Sequence, residues 1–340
     1  MGRNFANKVW NASRFTVMSL EATEGDAARL GPEEIARART FEDRWILSRL
    51  TGAVSEVTDH LEKFRTNEAA QKIYDFFWHE FCDWYLEEAK LRLRDGADAP
   101  ARAAARETLA QALDQSLRLL HPFVPYLTEA LWQKLQAAAA RCAPAAAQAM
   151  SADALIASRW PEADPALRDE TLEKQMAYLQ DIVRAVRHLR KAKDIPENWP
   201  VHIALSCPDA ATDAVLADHA DFLTKMALVE GLQHGVGIAK PPRSATSVVG
   251  TTELFLLERG LPPKVVRPML AGLIGMKAEK ERLMLAREDT TEHIAKIEKQ
   301  LHNPEFLAHA PDNIVQRQKE RAVELREKLQ KIIQNLAELE

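Results

Sequence analysis

The chain begins with side chains suited to gripping a polar partner: Asn4, Asn7, Asn11, Arg14 and Phe15, within the stretch NFANKVWNASRF. Asparagine is a poor helix former because its amide competes for backbone hydrogen bonds, so its repetition here asks for a reason. At about 100° per residue, Asn4, Lys8, Asn11 and Phe15 share one stripe, with Asn7 and Arg14 beside it. Phe5, Val9 and Ala12 share another, which is predicted to be the buried one. Amides, a guanidinium and an aromatic ring are the groups that meet base edges and phosphates. A solvated face with local amide pairs fits the same spacing. A second stretch, IVRAVRHLRKAKDIP, places Ile182, Val183, Val186 and Leu189 on a buried stripe. Arg184, Arg187, Arg190, Lys191 and Lys193 then form a dense cationic face with no acid between Arg184 and Lys193. It reads either as a phosphate track or as a solvated run.

Bond-making chemistry has no comparable signature. GxGxxG, GxxxxGK[ST], HExxH and GxSxG are all absent, and nothing singles out an acid/base pair among the many Asp and Glu. His121 precedes a proline at a helix end, where capping is expected. His79 lies among Phe77, Trp78 and Phe81, where packing is expected. Cys82, Cys142 and Cys207 form no CxxC pair, which speaks against zinc and a disulfide framework and fits a reducing compartment. No metal-ligating set is proposed. The net charge of −5 excludes a general polyanion binder but leaves local basic patches open. No apolar run approaches the roughly 20 residues of a membrane span, and the first residues lack an apolar signal-peptide core. A cytoplasmic protein without membrane partners is expected.

These residues need elements to hold them. A length of 340 residues predicts two or three domains, and 12 glycines in a composition rich in Ala, Leu, Glu and Arg predict helix. Periodicity places helices at 4–15, 41–65, 67–94 and 101–120, and a short one after Pro125. The third, containing IYDFFWHEFCDWYLEEAK, is apolar around more than half its circumference and is predicted to be buried between neighbours. The alanine-rich QAAAARCAPAAAQAM, 136–150, reads as a variable linker or loose helix extension. Beyond Pro161 a helix over 167–193, an alternating strand VHIALS, a helix over 213–226 and short strands in LVEGLQHG, ATSVVG and TELFLL predict a small α/β module. The charged tail carries two narrow seams, broken at HNPEFLAHAP. Met276, Leu283, Thr290, Ile294, Ile297 and Leu301 form one; Ile314, Gln318, Leu325, Leu329, Ile332, Leu336 and Leu339 form the other. Such seams predict an antiparallel coiled-coil hairpin. The expected chain is therefore mainly α, with a bundle over 1–160, an α/β linker module over 161–270 and the hairpin over 271–340.

GRNFANKVWNASRF, DRWILSRL, FFWHEFCDWYLEEAK and LHPFVPYLTEALWQKL together resemble the anticodon-binding helical domain of valyl-tRNA synthetases. The isoleucine and leucine enzymes carry related versions of the first string, while EFCDWYLE and LHPFVPYLTEALW tilt the match to valine. The α/β module and hairpin resemble the same family's C-terminal extension, in the same order, so the resemblance covers nearly the whole chain. It implies the tRNA-recognition portion of a class I ligase that attaches valine to tRNA(Val) with ATP and Mg²⁺. The bundle would check the anticodon through Asn7, Asn11, Arg14 and Phe15. Arg184, Arg187, Arg190 and Lys191 would follow the tRNA backbone, and the hairpin would lean on the elbow. The family's HIGH and KMSKS motifs and its editing domain have no counterpart here. The resemblance thus implies a chain inactive alone, no cofactor of its own, a catalytic half in cis or on a separate chain, and a monomeric enzyme. ERGLPPKVVRPML, 258–270, is an extra segment relative to the family. The alternative is a free-standing tRNA-binding or coiled-coil assembly module without enzymatic role.

Overall fold

The computed structural model describes residues 2–21, 31–94, 98–242, 244–261, 274–303, 306 and 311–337. Two compact units divide the chain, Met1–Met176 and Ala177–Glu340.

The first unit is helical. Helix α1 (Arg3–Glu21) is followed by a short α2 (Pro32–Arg37) and by α3 (Phe41–Glu62). The start of α3 is fixed by a capping box: the Thr40 hydroxyl accepts from Asp43 N–H at 3.4 Å and Asp43 accepts from Thr40 N–H at 3.0 Å. The aromatic run that the periodicity predicts as one helix is a single helical rod of three pitches. It comprises α4 (Thr66–Asp75), a π-helical stretch (Phe76–Tyr85) and α5 (Leu86–Arg92). Phe76, Phe77, Phe81, Cys82, Trp84 and Tyr85 are all buried along the wide stretch, and its broad turns bring more of the circumference into the core than an α-helix would.

Helix α6 (Ala99–Leu120) is capped by Asp98, which accepts from Ala101 N–H at 2.8 Å. It runs through the interior, burying Ala103, Ala104, Leu109, Ala112 and Leu113 together with Arg106, Glu107, Thr108 and Asp114. Proline then places α7 (Pro125–Cys142) and α8 (Pro144–Ala149), each with Pro in the first turn. The alanine-rich segment is therefore not a loose extension. Ala138, Ala139, Ala143 and Ala146 are buried, Ala146 N–H donates to Glu107 at 2.7 Å, and Arg118 donates to the Ala149 carbonyl at 2.8 Å. Alanine's small side chain is what lets these backbones approach. Charges inside the unit are paired: Asp43 accepts from Tyr85 at 2.6 Å and from Arg92 at 2.7 and 2.8 Å. Asp114 accepts from Arg118 at 2.9 Å and from Trp132 Nε1 at 2.7 Å.

Helix α9 (Glu170–Ala192) begins in the first unit. There Glu173 accepts from Ser48 at 2.5 Å and Arg49 at 2.9 Å. Arg168 lies against Gly52, where a Cβ would stand 2.0 Å from Arg168 Nη1 and would displace that guanidinium.

In the second unit β1 (Val201–Cys207), α10 (Ala210–Asp218), α11 (Ala220–Ala227) and β2 (Val229–Val236) form a βαβ crossover, completed by β3 (Ser244–Val249) and β4 (Thr252–Leu257). The sheet order is β2-β1-β4-β3, with β1 parallel to β2 and antiparallel to β4, and β3 antiparallel to β4. The single helix predicted over 213–226 breaks at His219 into two. The buried stripe of α9 is as expected: Ile182, Val183, Val186 and Leu189 are fully buried.

Helices α12 (Ile274–Leu301) and α13 (Asp312–Ala337) flank the HNPEFLAHAP break. Leu283 packs with Ile332 and Leu336, while Glu298 pairs with Arg326, so the helices run antiparallel as predicted. Leu283, Thr290, Ile294, Ile297, Ile332 and Leu336 are buried; Ile314 is exposed, so the second seam opens toward the hairpin tip. Ala322 and Asn335 are buried on it instead. Lys331 lies 3.9 Å from Glu253, and Arg282 donates to the Thr246 carbonyl, holding the hairpin base against the sheet. The Met276 side chain, Leu339 and most of 258–270 lie outside the described residues. Among the described residues no helix is long and apolar enough to cross a membrane.

Candidate nucleic-acid interface

Helix α1 sorts its residues much as its periodicity predicts. Phe5, Val9 and Ala12 are buried, joined by Ser13, Thr16 and Leu20. The Phe5 ring meets Tyr74 at 4.8 Å and Phe77 at 5.9 Å. Asn4, Asn7, Asn11 and Arg14 are exposed, and no Asp or Glu occurs from Arg3 to Leu20.

Two members of the predicted stripe differ from the rest. Lys8 turns toward the π-helical stretch, pairing with Asp83 at 2.8 Å and lying 5.3 Å over the Trp78 ring. Partial burial opposes its charge, yet the Asp83 hydrogen bond and charge outweigh that and raise its pKa. Phe15 is half-buried, with Lys90 Nζ 5.5 Å over its ring. The periodicity overlooked Trp10. Its indole is 43% exposed on the other flank of the face, with Lys134 Nζ 5.2 Å over the ring. The available signal was an aromatic outside the apolar stripe.

The cationic run of α9 departs from the expectation of an open phosphate face. Arg190 is only 6% exposed. It donates to the carbonyls of Ala227 at 2.9 Å, Pro196 at 2.9 Å, Glu197 at 2.6 Å and Trp199 at 2.6 Å. Arg187 donates to the Met226 carbonyl at 2.8 Å. Met226 and Ala227 end α11, where carbonyls lack helical partners and carry the negative end of the dipole. These arginines are therefore capping groups, and Arg190 is unavailable to a phosphate. Arg184 pairs with Asp181 at 2.7 Å, one turn before the acid-free run. Lys191 is exposed and borders, with Arg187, Glu197 and Leu228, a groove of about 820 Å³.

The remaining candidates for chemistry are structural. His121 Nδ1 lies 2.8 Å from Thr128 Oγ1 at the turn into α7, in keeping with a capping role. His79 does not pack into the core; its side chain is exposed beside Asp83 at 3.5 Å, because the π-helical pitch turns it outward. Burial pushes the Cys82 thiol up to about 12 and the Cys207 thiol up to about 11, so neither is a ready nucleophile. Among the described residues no group of three His, Cys, Asp or Glu is placed to hold a metal ion.

A helical bundle whose first helix bears amides and an arginine, with no acid from Arg3 to Leu20, is followed by an α/β module and an antiparallel hairpin. Residues 43–205 match the anticodon-binding domain of tRNA ligases, and residues 276–340 match the valyl tRNA synthetase tRNA binding arm. Valine–tRNA ligase of Symbiobacterium thermophilum is 38% identical over 99% of this chain, and that of Thermotoga maritima 36% identical over 99%. The chain spans 36% and 34% of these two relatives, about a third of their length. With both tRNA-binding domains in this order, the chain belongs to the valine–tRNA ligase family and corresponds to about a third of the length of its members.

Proposed function

We propose that the chain is the tRNA-recognition portion of a valine–tRNA ligase acting on tRNA(Val) in the cytoplasm, as part of a monomeric enzyme. The catalytic half is supplied in cis or as a separate chain. The observation that carries this reading is the exposed face of α1. Asn7, Asn11 and Arg14 stand in solvent on a helix with no acid from Arg3 to Leu20, beside the half-buried Phe15. Asn amides donate to and accept from base edges, Arg14 adds charge-assisted bonds, and Phe15 offers a ring edge for stacking. The hairpin, with a net charge near zero, reads shape rather than acting as a polycation. Lys191 and Arg184 are the α9 residues left to approach the tRNA backbone.

ATP and Mg²⁺ belong to the part of the ligase outside this chain. Its sequence has no phosphate loop, HIGH or KMSKS, and the described residues offer no acidic cluster for a divalent cation. The purified chain is therefore expected to show no valine-dependent ATP–pyrophosphate exchange while binding tRNA in filter or fluorescence assays. Phe15→Ala should cost about 1–3 kcal/mol of affinity for tRNA bearing a valine anticodon and leave a transcript with a changed anticodon unaffected. Exchange activity in the isolated chain, or equal affinity for both transcripts, would overturn the reading.

A further inference from the structure

We propose that α1 carries two stacking platforms for unpaired nucleotides, Trp10 with Lys134 on one flank and Phe15 with Lys90 on the other. The bound RNA strand then lies across the strip of Asn7, Asn11 and Arg14 between them. The inference rests on the reading of this bundle as RNA-binding and adds to it a second platform that the periodicity did not suggest.

Three observations converge. First, Trp10 is 43% exposed, whereas Trp45, Trp84 and Trp132 of the same unit are buried and Trp160, at 36%, donates its Nε1–H to Thr58. An indole left in solvent on an otherwise well-sorted helix has apolar area to cover. Second, each ring is paired with a lysine from a different neighbour: Lys134 of α7 stands 5.2 Å over Trp10, and Lys90 of α5 stands 5.5 Å over Phe15. Lys90 also pairs with Glu87 at 2.6 Å; Lys134 is exposed. An ammonium at a ring face is attracted by its quadrupole and is positioned to meet the phosphate of a nucleotide stacked on that ring. Third, five residues separate the rings, which is about 140° around the helix and about 7.5 Å along it. That spacing suits two nucleotides of a splayed single strand better than stacked neighbours in a duplex. Between the rings lie only amides and a guanidinium, with no acid from Arg3 to Leu20, so the strip complements a polyanion and its base edges.

The test uses the full chain with two RNA probes: a tRNA transcript with a valine anticodon, and the closed duplex of its anticodon stem. Trp10→Ala should weaken transcript binding about 5- to 150-fold, the loss expected of one stacking platform. It should leave duplex binding and the melting temperature unchanged. Trp10→Phe should keep most of the affinity, and Lys134→Glu should lower it at low salt. Should Trp10→Ala bind the transcript like the parent while Phe15→Ala binds weakly, the second platform is wrong and the anticodon reading of α1 stands. Should Trp10→Ala melt lower and Trp10→Phe fail to restore binding, Trp10 is a packing residue and the proposal falls. A chain that binds neither RNA overturns the RNA-binding reading and this inference with it.

Discussion

Helices α1 and α9 both carry cations at helical spacing, yet Arg14 stands in solvent while Arg190 sits among four carbonyl oxygens. The α9 run is the more strongly charged of the two, and on charge alone it would be the better polyanion site. The structure ranks them the other way. Carbonyls at the end of α11 and in the 196–199 turn compete for the same guanidinium that a phosphate would want, and they are held permanently within reach. What separates the two faces is the internal acceptors around Arg190; on α1, Lys8 alone of the predicted stripe is drawn to one, Asp83, among the described residues.

Breaking this contrast at its strongest point means removing Arg190. Arg190→Ala leaves buried carbonyls without donors, and each loss of a charged hydrogen bond is worth roughly 1.5–3 kcal/mol. The second unit should melt roughly 5–10 °C lower by circular dichroism, and Arg190→Lys, with one compact ammonium, should recover only part. A variant that melts like the parent and loses tRNA affinity would return Arg190 to the binding face.

Next in size is a buried charge of the first unit that, unlike Arg190, can shed its cost by titrating. Burial pushes the Glu88 carboxyl up to about 8 despite Arg92 beside it. A raised carboxyl contributes stability that is complete below its ordinary 4.5 and is lost as pH rises through about 8. Glu88→Gln should therefore gain on the parent as pH rises, by about 1–2 kcal/mol near pH 9, and lose that advantage toward pH 5. Melts across this range check it; a pH-independent difference would mean that Glu88 stays ionised in the fold.

The mirror experiment to Arg190 is Arg14→Ala. Its melting temperature should not move, while tRNA affinity should fall by about 1–3 kcal/mol. The smallest expected effect belongs to Lys191→Ala, an exposed member of the α9 run. Stability should again be constant, and the slope of log affinity against log salt should flatten by about 0.7–0.9, one phosphate contact. An unchanged slope would leave α9 wholly structural.

How much of this could be read from residues alone follows from what each feature depends on. The buried stripes of α1 and α9 and the hairpin seams depend on apolar spacing, which a sequence displays directly. The role of Arg190 depends on carbonyls of Pro196, Glu197, Trp199 and Ala227, and every residue has a carbonyl, so no residue type announces it. The packing of 136–150 was hidden for a related reason: alanine in a solvated linker and alanine at a close helix contact are the same letter. Trp10 was legible as an aromatic off the apolar stripe, but its lysine partner comes from α7, more than a hundred residues away. Assigning Asn7, Asn11, Arg14 and Phe15 to an anticodon rests on family resemblance, since amide and arginine patterns alone fit a solvated surface equally well.

The π-helical stretch has a consequence for how this bundle tolerates changes in chain length. Ten consecutive residues, Phe76–Tyr85, wind at the wider pitch, and everything after them keeps its rotational setting only because of that count. Deleting one residue there, with the wide pitch kept, would turn α5 relative to α4 by somewhat less than the roughly 100° of an α-helical step. Arg92 would swing off Asp43, and Lys90 would leave the Phe15 ring. The stretch thus acts as the phase setting of the rod: sequence drift in its aromatic letters alters packing locally, whereas a single insertion or deletion would rotate every downstream side chain out of register at once.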